Sequence, residues 1–370
     1  MKSKVCHVTT VHQPNDNRIF FKECKSLSLA GYDVTLLCAN AKSTERDGIK
    51  IIGFAGHTQR LKRFFITSLF RVFVEAWKVN ADIYHLHDPE LVWMGLLLRL
   101  TGKKVIMDVH ENNAAAILSR PYMTNNFSKK VLSTIIKLVE RITLPFFNAI
   151  ITARPDISEL FPKLNPITLR NFPILPFYDD IPDLAISKSK KAVIYVGGSS
   201  EIRGTIELIE AFRFTNKAEL WILGPFESDL FRKKCEKLEG WSKVKYLGTV
   251  EANKIFSYIK AADIGIITFL PKPNHLTTLA TKPFEYMACG LPMIMSNFEY
   301  WKSFFGDSSY YVDPSDSIAI AKMIDSLISD DEVLSKMKKN NIKLATEKYN
   351  WQKEQEKLFE VYKLVSIEKK

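Results

Sequence analysis

Residues 281–296, TKPFEYMACGLPMIMS, contain a single acidic side chain, Glu285, in an otherwise largely apolar stretch. A proline two residues before it suits the first turn of a helix, because the N–H group that proline lacks would have no partner there. The helical pattern ends at the CGLP segment, and the short apolar run 292–296 predicts a buried strand. A helix that leads into a buried strand is typical of α/β folds.

Glu285 in the first turn would lie near the positive end of the helix dipole. Its carboxylate would there be placed to accept two hydroxyls of a ligand, as an acid does with a ribose diol in dinucleotide sites. Alternatively, it reaches back to the N–H groups of its own helix. That arrangement would be a loose capping box, since Lys282 stands where the motif has Ser or Thr. Spacing alone leaves both interpretations open.

Short β-branched runs alternate with helical patterns over the whole chain, and the runs are apolar on both faces, as in parallel sheets covered by helices. At 370 residues the chain exceeds what one hydrophobic core usually supports. We predict an α/β protein with two doubly wound domains facing a central cleft. The predicted strands are residues 4–11, 33–39, 51–54, 82–87, 104–110, 149–153, 192–197, 219–223, 244–249, 263–268, 292–296 and 310–312. The predicted helices include residues 19–30, 61–78, 91–100, 129–144, 332–348 and 351–367.

A break in periodicity marks the predicted domain boundary. Residues 171–191, NFPILPFYDDIPDLAISKSKK, hold three prolines and three acids before a run of lysines, which is typical of a linker. We predict an N-terminal domain over 1–172, a linker over 173–190, a second domain over 191–345 and a C-terminal helical segment over 346–370.

The formal charge of +11 indicates an anionic partner: a phosphorylated small molecule, a membrane surface or nucleic acid. A nucleic-acid-binding protein should contain an aromatic-rich basic module, and none is found, so nucleic acid is not expected. The five cysteines lack CxxC spacing, which argues against a disulfide framework or a zinc site. The first residues read as a strand rather than a signal peptide, and no window is long and apolar enough to span a membrane. We therefore expect a cytoplasmic protein.

Two basic, apolar stretches have helical spacing, residues 58–80 and 126–147. One interpretation is two amphipathic helices that pack on a domain core. The other is a surface that faces lipid headgroups, as in monotopic proteins, and the two are compatible. The residues that would face lipid are Arg60, Lys62, Arg63, Phe64, Phe65, Lys129 and Lys130.

Polar side chains collect where the strands of the first half end, the edge at which open α/β sheets bind ligands. The segments are VHQPNDNRIFFKE (11–23), YHLHDPE (84–90) and MDVHENN (107–113). Helix capping and satisfied histidines would explain individual residues, whereas a cluster that binds sugar hydroxyls or orients a proton acceptor would explain them together. A metal site is disfavoured, because no HxxxH spacing or cysteine supports it. The candidates are His12, Asp16, Arg18, His85, His87, Asp88, Asp108, His110 and Glu111.

In the second half, the first strand leads into YVGGSSEIRGTIELIEAF, residues 195–212. Gly197 and Gly198 allow close approach to the backbone, and the helix that begins near Gly204 presents free N–H groups with Arg203 beside them. These features indicate an anion site. The alternative is a tight turn between strand and helix.

KPFEYMACGLPMIMS resembles the signature FEYMAxGxPVI of the retaining nucleotide-sugar glycosyltransferases of the family-four type, which have the GT-B fold. RIFFKECKSLSLAGYDVTLL, DIYHLHDPE, MDVHEN, YVGGSSEIRGTIELIEAF and YNWQKEQEKLFEVY are similar to further segments of that family in the same order. The resemblance covers nearly the whole chain. It implies two Rossmann-like domains, the first for the acceptor and the second for a nucleotide-sugar, and a final helix that crosses back onto the first.

The resemblance also implies roles for three side chains. Glu285 matches the acid that holds the ribose hydroxyls of the donor. Arg203 matches a basic position at the diphosphate, and His110 matches a histidine near the transferred sugar.

The chain departs from the family pattern at two positions. Thr277 stands eight residues before Glu285, where many members have an acid that contacts the donor sugar, and Gly198 stands where many have arginine. Neutralisation of the diphosphate would then fall to Arg203, Lys282 and the amides around Thr278 and Leu279. The expected nucleotide-sugar site therefore comprises Gly197, Gly198, Arg203, Thr277, Thr278, Leu279, Lys282 and Glu285.

The resemblance therefore implies a retaining glycosyltransferase that moves a hexosyl or N-acetylhexosaminyl group from a UDP-, GDP- or ADP-sugar. Its expected catalytic residues are His110, Arg203 and Lys282, with neither a metal nor another cofactor required. The expected acceptor is a glycan or a polyprenyl-diphosphate-linked saccharide of capsule, O-antigen or exopolysaccharide synthesis, with peripheral contact to the inner face of an anionic plasma membrane. His12, Asp16, Arg18, His87, Asp88 and Glu111 would line the acceptor side. A GT-B sugar-nucleotide epimerase and a catalytically weakened scaffold are the alternatives.

Overall fold

The computed structural model describes residues 3–57, 70–118 and 125–367, which divide into two compact units. The first unit comprises Met1–Asn171 and Trp351–Lys370, and the second comprises Phe172–Asn350. Each unit contains one sheet covered by helices.

The first unit is built on an eight-stranded sheet whose pairs are parallel apart from one antiparallel pair at its edge. Alternate residues of its first strand belong to different hydrophobic clusters, Val5 on one face and Cys6 and Val8 on the other. Both faces are therefore buried, which explains the uninterrupted apolar runs. The strands are β1 (Lys4–Thr9), β2 (Asp33–Ala39), β3 (Thr44–Arg46), β4 (Ile49–Phe54), β5 (Ile83–Leu86), β6 (Lys104–Val109), β7 (Ala149–Thr152) and β8 (Ile167–Thr168), in the spatial order β3-β4-β2-β1-β5-β6-β7-β8.

Helices cover both faces of this sheet. The first helical segment opens as a π-helix, Ile19–Cys24, a rare form that is found frequently at functional sites. The α-helices are α1 (Lys25–Leu29), α2 (Val72–Val79), α3 (Val92–Leu100), α4 (Asn113–Leu118), α5 (Asn126–Thr143) and α6 (Pro155–Ser158).

The second unit contains a six-stranded parallel sheet in the order β11-β10-β9-β12-β13-β14. Its first strand in the chain lies at the centre and is flanked by the second and the fourth, which is the strand order of Rossmann folds. The strands are β9 (Lys191–Val196), β10 (Ala218–Leu223), β11 (Val244–Gly248), β12 (Ile264–Ile267), β13 (Met293–Ser296) and β14 (Tyr310–Val312). The helices are α7 (Thr205–Phe214), α8 (Asp229–Cys235), α9 (Ile255–Ala261), α10 (Pro273–Thr277), α11 (Lys282–Ala288), α12 (Glu299–Phe305), α13 (Ser317–Ile328) and α14 (Asp331–Glu347).

The last helix, α15 (Trp351–Ile367), belongs to the first unit. The indole Nε1 of Trp351 donates a hydrogen bond to Ser26 Oγ at 2.9 Å. Leu358 and Tyr362 are fully buried in the same hydrophobic cluster as the first strand. Residues 346–350, which were predicted to start this C-terminal segment, lie in the second unit.

Residues 173–190, predicted as a linker, also lie in the second unit. Leu175 and Ile181 are buried in its core, and Lys260 Nζ donates to Ile181 O at 2.8 Å. The prolines remove regular periodicity here, but apolar side chains at irregular spacing still anchor the segment.

The doubly wound α/β fold predicted from the sequence is confirmed, with two largely parallel, Rossmann-like sheets. Two strands were not predicted, the three-residue, fully exposed β3 and the two-residue β8. Arg60, Lys62, Arg63, Phe64 and Phe65 lie outside the described residues, as does the first half of the predicted helix 61–78. Among the residues that the structure describes, no helix has the length and apolar character needed to cross a bilayer.

Candidate functional site

The strand order of the second sheet creates a switch point between β9 and β12. The chain moves outward from β9 through β10 and β11, then returns to β12 on the other side of β9. Loops that follow two such neighbouring strands diverge and leave a crevice in which α/β proteins bind ligands. The loop after β9 carries Gly197, Gly198 and Arg203, and the loop after β12 leads to Glu285.

The loop after β9 is held close to β12. Gly204 has φ +68, and a Cβ there would lie 2.0 Å from the backbone oxygen of Thr268, so only glycine fits. Leu270 N donates to Ile202 O at 3.1 Å, which joins the two loops directly. Because Gly204 has no side chain, the N-terminus of α7 can lie against the end of β12.

Arg203 is fixed by contacts with both loops. Its Nη1 donates to Gly198 O at 2.8 Å, and Tyr195 Oη donates to the same oxygen at 2.8 Å. Its guanidinium lies 5.5 Å from the centre of the Phe269 ring, a cation–π geometry. The predicted anion-binding cation therefore lies at the switch point, and Phe269 is a supporting residue that the sequence did not indicate.

Glu285 lies in the first turn of α11, where the sequence predicted it. Its Oε2 lies 2.6 Å from Lys282 Nζ, and the two side chains are 13% and 25% exposed. Burial raises the pKa of Glu285, and the positive charge of Lys282 opposes that rise. The carboxylate is thus partnered by a neighbouring cation.

The register of α11 is set by Tyr286, next to Glu285. Its hydroxyl accepts a hydrogen bond from Val196 N at 3.0 Å and lies 3.3 Å from Ile194 O. A Cβ at Gly265 would lie 2.4 Å from the tyrosine ring, so glycine in β12 makes room for it. These contacts attach the helix that carries Glu285 to the end of β9.

Thr277 and Thr278 lie in the segment between β12 and α11. Thr277 is exposed, and its Oγ1 donates to Pro273 O at 3.3 Å within its own short helix. Trp301 Nε1 donates to Thr278 O at 2.8 Å, and Leu279 is half-buried. The position at which the family resemblance implies an acid is thus a threonine bonded to its own helix.

The first sheet has its own switch point, between β1 and β5. Asp88 follows β5 and was predicted as a helix cap, but its side chain caps no helix. Its Oδ2 instead accepts from Thr9 Oγ1 at 2.8 Å and Thr10 N at 2.6 Å. Asp88 therefore joins the ends of the two central strands.

His12 and Asp16 form a half-buried pair in the loop after β1. His12 Nδ1 lies 3.1 Å from Asp16 Oδ2, and its Nε2 lies 3.6 Å from Asp88 Oδ1. The hydrogen bond to Asp16 raises the pKa of His12, outweighing burial. Burial alone would raise the pKa of Asp16, but the bonds from His12 and from Ile19 N hold it well below its usual range.

Arg18, expected on the acceptor side, is buried and 5% exposed. Its Nε and Nη2 donate to the two oxygens of Asp108 at 2.8 and 2.9 Å, and its Nη1 donates to Leu169 O at 2.8 Å. The guanidinium neutralises the charge of the buried Asp108 carboxylate and does not face solvent. This pairing joins residues 90 positions apart in the sequence, and the sequence showed only their separate positions.

His110 lies beside the same carboxylate, with its Nε2 2.8 Å from Asp108 Oδ2 and its side chain 20% exposed. Burial would raise the pKa of Asp108, but the Arg18 and His110 charges hold it well below its usual range. An ionised Asp108 accepts the Nε2 proton of His110, so in the neutral form of the ring Nδ1 is the nitrogen that can accept a hydrogen bond. Glu111 is exposed.

His85 and His87 are fully buried, and burial lowers the pKa of His87 to about 3. They lie with two residues that the sequence did not single out, His7 and Glu23. His7 pairs with His85 in the parallel register of β1 and β5. Register is not readable from one sequence, so the sequence held no signal that could have identified His7.

Comparisons with known proteins agree with this geometry. Residues 178–344 match the family described as "Glycosyl transferases group 1". An uncharacterized glycosyltransferase of Methanocaldococcus jannaschii is 23% identical over 305 residues, which cover 76% of this chain and 75% of the relative.

Solved structures share the fold over the full chain. A glycosyltransferase from Rickettsia africae superposes with a TM-score of 0.72 at 14% identity, covering 100% of both chains. HepE from Anabaena, solved with UDP, superposes with a TM-score of 0.67 at 14% identity, covering 98% of this chain and 100% of HepE. These matches support glycosyltransferase activity: residues 178–344 are similar to the glycosyl transferases group 1 family, and the solved structures confirm the predicted GT-B fold.

Proposed function

We propose that the protein transfers a glycosyl group from a nucleoside diphosphate sugar to an acceptor hydroxyl with retention at the anomeric carbon. The observation that carries the proposal is the placement of Arg203, Lys282 and Glu285 around the switch point of the second sheet. HepE was solved with UDP and with UDP-glucose, which supports a donor of this class.

The donor contacts follow from the chemistry of these groups. Glu285 is an acceptor for two ribose hydroxyls, and Arg203 and Lys282 are cations for the diphosphate. Gly197 and Gly198 carry no side chain that would keep phosphate from the backbone. Amides of residues 278–280, with Thr277 and Leu279 beside them, add uncharged donors.

The reaction breaks the bond between the anomeric carbon and the diphosphate oxygen and forms one to the acceptor oxygen on the same face. The acceptor proton passes to the leaving phosphate oxygen, so no protein nucleophile is needed. Negative charge grows on the diphosphate as its bond breaks, and fixed cations at Arg203 and Lys282 stabilise it. We propose that this step uses no metal ion.

His110 is assigned to the transferred sugar by the family resemblance. Its contact with Asp108 orients the ring and fixes its tautomer, so that Nδ1 is the nitrogen that accepts a sugar hydroxyl. We place the acceptor near His12, Asp16 and Glu111. The buried Arg18, His87 and Asp88 are assigned positioning roles, since none of them faces solvent.

A lipid-linked saccharide is proposed as the acceptor because α5 carries an exposed apolar stripe. At 100° per residue its exposed apolar side chains fall within an arc of about 80°, and Lys130, Lys137 and Arg141 flank that arc on one side. Lysines and arginines beside apolar side chains suit the interface of an anionic bilayer. We therefore propose that the reaction takes place at the inner face of the plasma membrane, in the synthesis of a surface polysaccharide. The apolar residues of the stripe are Phe127, Val131, Ile135, Leu138 and Ile142.

The test is turnover on a panel of UDP-, GDP- and ADP-sugars, with and without a polyprenyl-diphosphate-linked saccharide. We expect nucleoside diphosphate release from one donor class, faster with acceptor, and an NMR product spectrum with the anomeric configuration of the donor. Interconversion of a donor without transfer would establish the epimerase instead. If the protein shows neither turnover nor donor binding by calorimetry, the alternative of a catalytically weakened scaffold protein would be favoured.

A further inference from the structure

Four buried side chains of the first unit point their donor atoms at one place. His7, His85, His87 and Glu23 are each at most 2% exposed. His7 and His85 are register partners on β1 and β5, His87 lies two residues further along the same face, and Glu23 comes from the π-helix. The π-helix is an uncommon element that occurs frequently at functional sites.

The distances are close to those of a four-coordinate metal site. Glu23 Oε2 lies 3.9 Å from His7 Nδ1, 4.0 Å from His85 Nδ1 and 3.8 Å from His87 Nε2, and His7 Nδ1 lies 2.9 Å from His87 Nε2. All four atoms lie within 4.8 Å of one another. Metal–ligand bonds of about 2.0–2.2 Å in a tetrahedron place ligand atoms roughly 3.3–3.5 Å apart. Movements of about half an ångström would therefore bring the four atoms to bonding positions.

Hydrogen bonds among the described residues do not satisfy this cluster. Glu23 Oε2 is buried and has no hydrogen-bond partner among them, and nitrogens of His7, His85 and His87 lie 3.8–4.0 Å from it. Its Oε1 lies 3.1 Å from Arg18 Nε without hydrogen-bond geometry. A buried carboxylate oxygen without a partner is costly, and a cation on that oxygen would remove the cost.

The surrounding groups resemble the outer shell of a metal site. Asp108 Oδ2 lies 3.4 Å from His87 Nδ1, the nitrogen that points away from the cluster, and Tyr362 Oη lies 3.3 Å from His7 Nε2. Such partners orient ligating imidazoles and set their tautomers. Metal binding would exchange two existing contacts, the 3.0 Å bond between Tyr362 Oη and His85 Nδ1 and the 2.9 Å bond between His7 Nδ1 and His87 Nε2.

We propose that His7, Glu23, His85 and His87 bind one divalent transition-metal ion, with Zn²⁺ the best match to three imidazoles and a carboxylate. Four protein ligands in a buried position describe a closed, structural site. The ion ties the π-helix to β1 and β5 beneath the residues at the first switch point. Through Tyr362 it also supports the docking of α15.

The test uses the full chain and Zn²⁺ or Co²⁺ alone, and it does not depend on glycosyl transfer. Protein produced with added zinc should hold close to one zinc per chain by elemental analysis. Chelation should lower the Tm by several degrees, and added Zn²⁺ should restore it. Co²⁺ in place of Zn²⁺ should give the intense visible absorption of a tetrahedral ion.

Glu23→Gln and His7→Asn should each reduce zinc affinity at least tenfold, whereas His275→Asn in the second unit should leave it unchanged. If both cluster variants fail to fold, the Co²⁺ spectrum of the unsubstituted protein decides alone. Zinc at background level with no Tm response to Zn²⁺ or Co²⁺ would overturn the proposal. Retention of zinc by folded Glu23→Gln and His7→Asn proteins would overturn it as well.

Discussion

Lys282 Nζ lies 2.6 Å from Glu285 Oε2, three residues apart in the first turn of α11. The acid assigned to the ribose and a cation assigned to the diphosphate are thus bound to each other. Because one helical turn carries both groups, the proposed contacts with the ribose and with the diphosphate come from a single short element. Substitution of Lys282 therefore also raises the pKa of Glu285.

Glu285→Ala should raise the KM for the nucleotide-sugar about 10- to 100-fold, since a charged acceptor of two hydroxyls is lost, a change of about 1.5–3 kcal/mol. Steady-state kinetics with the active donor measure it. Glu299→Ala is a matched control, because Glu299 also pairs with a lysine three residues away but is exposed. An unchanged KM in Glu285→Ala would show that Glu285 does not bind the ribose hydroxyls.

Lys282→Met should make donor binding more sensitive to acid. Burial raises the pKa of Glu285 and Lys282 opposes the rise, so removing the cation moves that pKa further up. A protonated Glu285 accepts fewer hydroxyl bonds, so donor affinity falls as the pH drops through its pKa. Calorimetric Kd values from pH 5 to 8 should weaken at a higher pH in the variant than in the unsubstituted protein. Coincident pH profiles would contradict the coupling.

Gly204→Ala should destabilise the second unit strongly. The new Cβ would lie 2.0 Å from the backbone oxygen of Thr268, in a backbone conformation with φ +68. We expect a loss of about 3 kcal/mol or more in the free energy of unfolding, measured by urea titration. Gly248→Ala is the control, because Gly248 has φ +67 but open space around it. Its cost should stay near 1 kcal/mol, the strain of the backbone alone. Equal losses in the two variants would show that the contact with Thr268 is not the cause.

The His12–Asp16 pair should stabilise the protein in a defined pH range. His12 has a raised pKa in the folded state, so its contribution is fully present below the ordinary value near 6.5 and is lost as the pH rises through the raised value. The charged groups that face His12 are Asp16, Asp88 and Asp108. His12→Asn should therefore cost about 0.5–1 kcal/mol at pH 6 and almost nothing at pH 9, measured by urea unfolding. A cost that grows with pH would reverse the sign and refute the assignment.

Substitution of the α5 stripe should abolish membrane binding. Ile135→Glu with Leu138→Glu places two charges in the exposed apolar arc and should leave the core intact, since both side chains are at least half exposed. Flotation with anionic vesicles at low salt should recover the unsubstituted protein and not this variant. Leu230→Glu, at an 80% exposed leucine of the second unit, is the control and should still float. Failure of the unsubstituted protein to float would reject the membrane proposal.

Much of the fold could be predicted from the sequence because two-sided burial leaves continuous apolar runs. β9 and β12 were predicted within one or two residues for this reason. β3 was missed since all three of its residues are exposed, so burial imposes no pattern on it. The helix that carries Glu285 was predicted from Pro283 and from the glycine that follows the helix.

The contacts within the sites were harder to predict from the sequence. Arg18 resembles a loop cation in the sequence, and only the fold brings it to Asp108, which turns it inward. Glu23 lies in a segment with an ordinary helical pattern, and its π-helical geometry aims it at histidines from two strands. Such pairings depend on strand register and on helix winding, and neither leaves a periodic signature in one sequence.

The return of the chain at Trp351 affects how the protein is made. The bond from Trp351 to Ser26 joins residues 325 positions apart, so the first unit lacks its last helix until translation has passed residue 367. The second unit is continuous and can complete its core earlier on the ribosome. Until then, the apolar surface of the first unit on which Leu358 and Tyr362 will pack stays exposed. Exposed apolar surface of this kind is recognised by chaperones. Synthesis therefore completes the two halves in the reverse of their order along the chain.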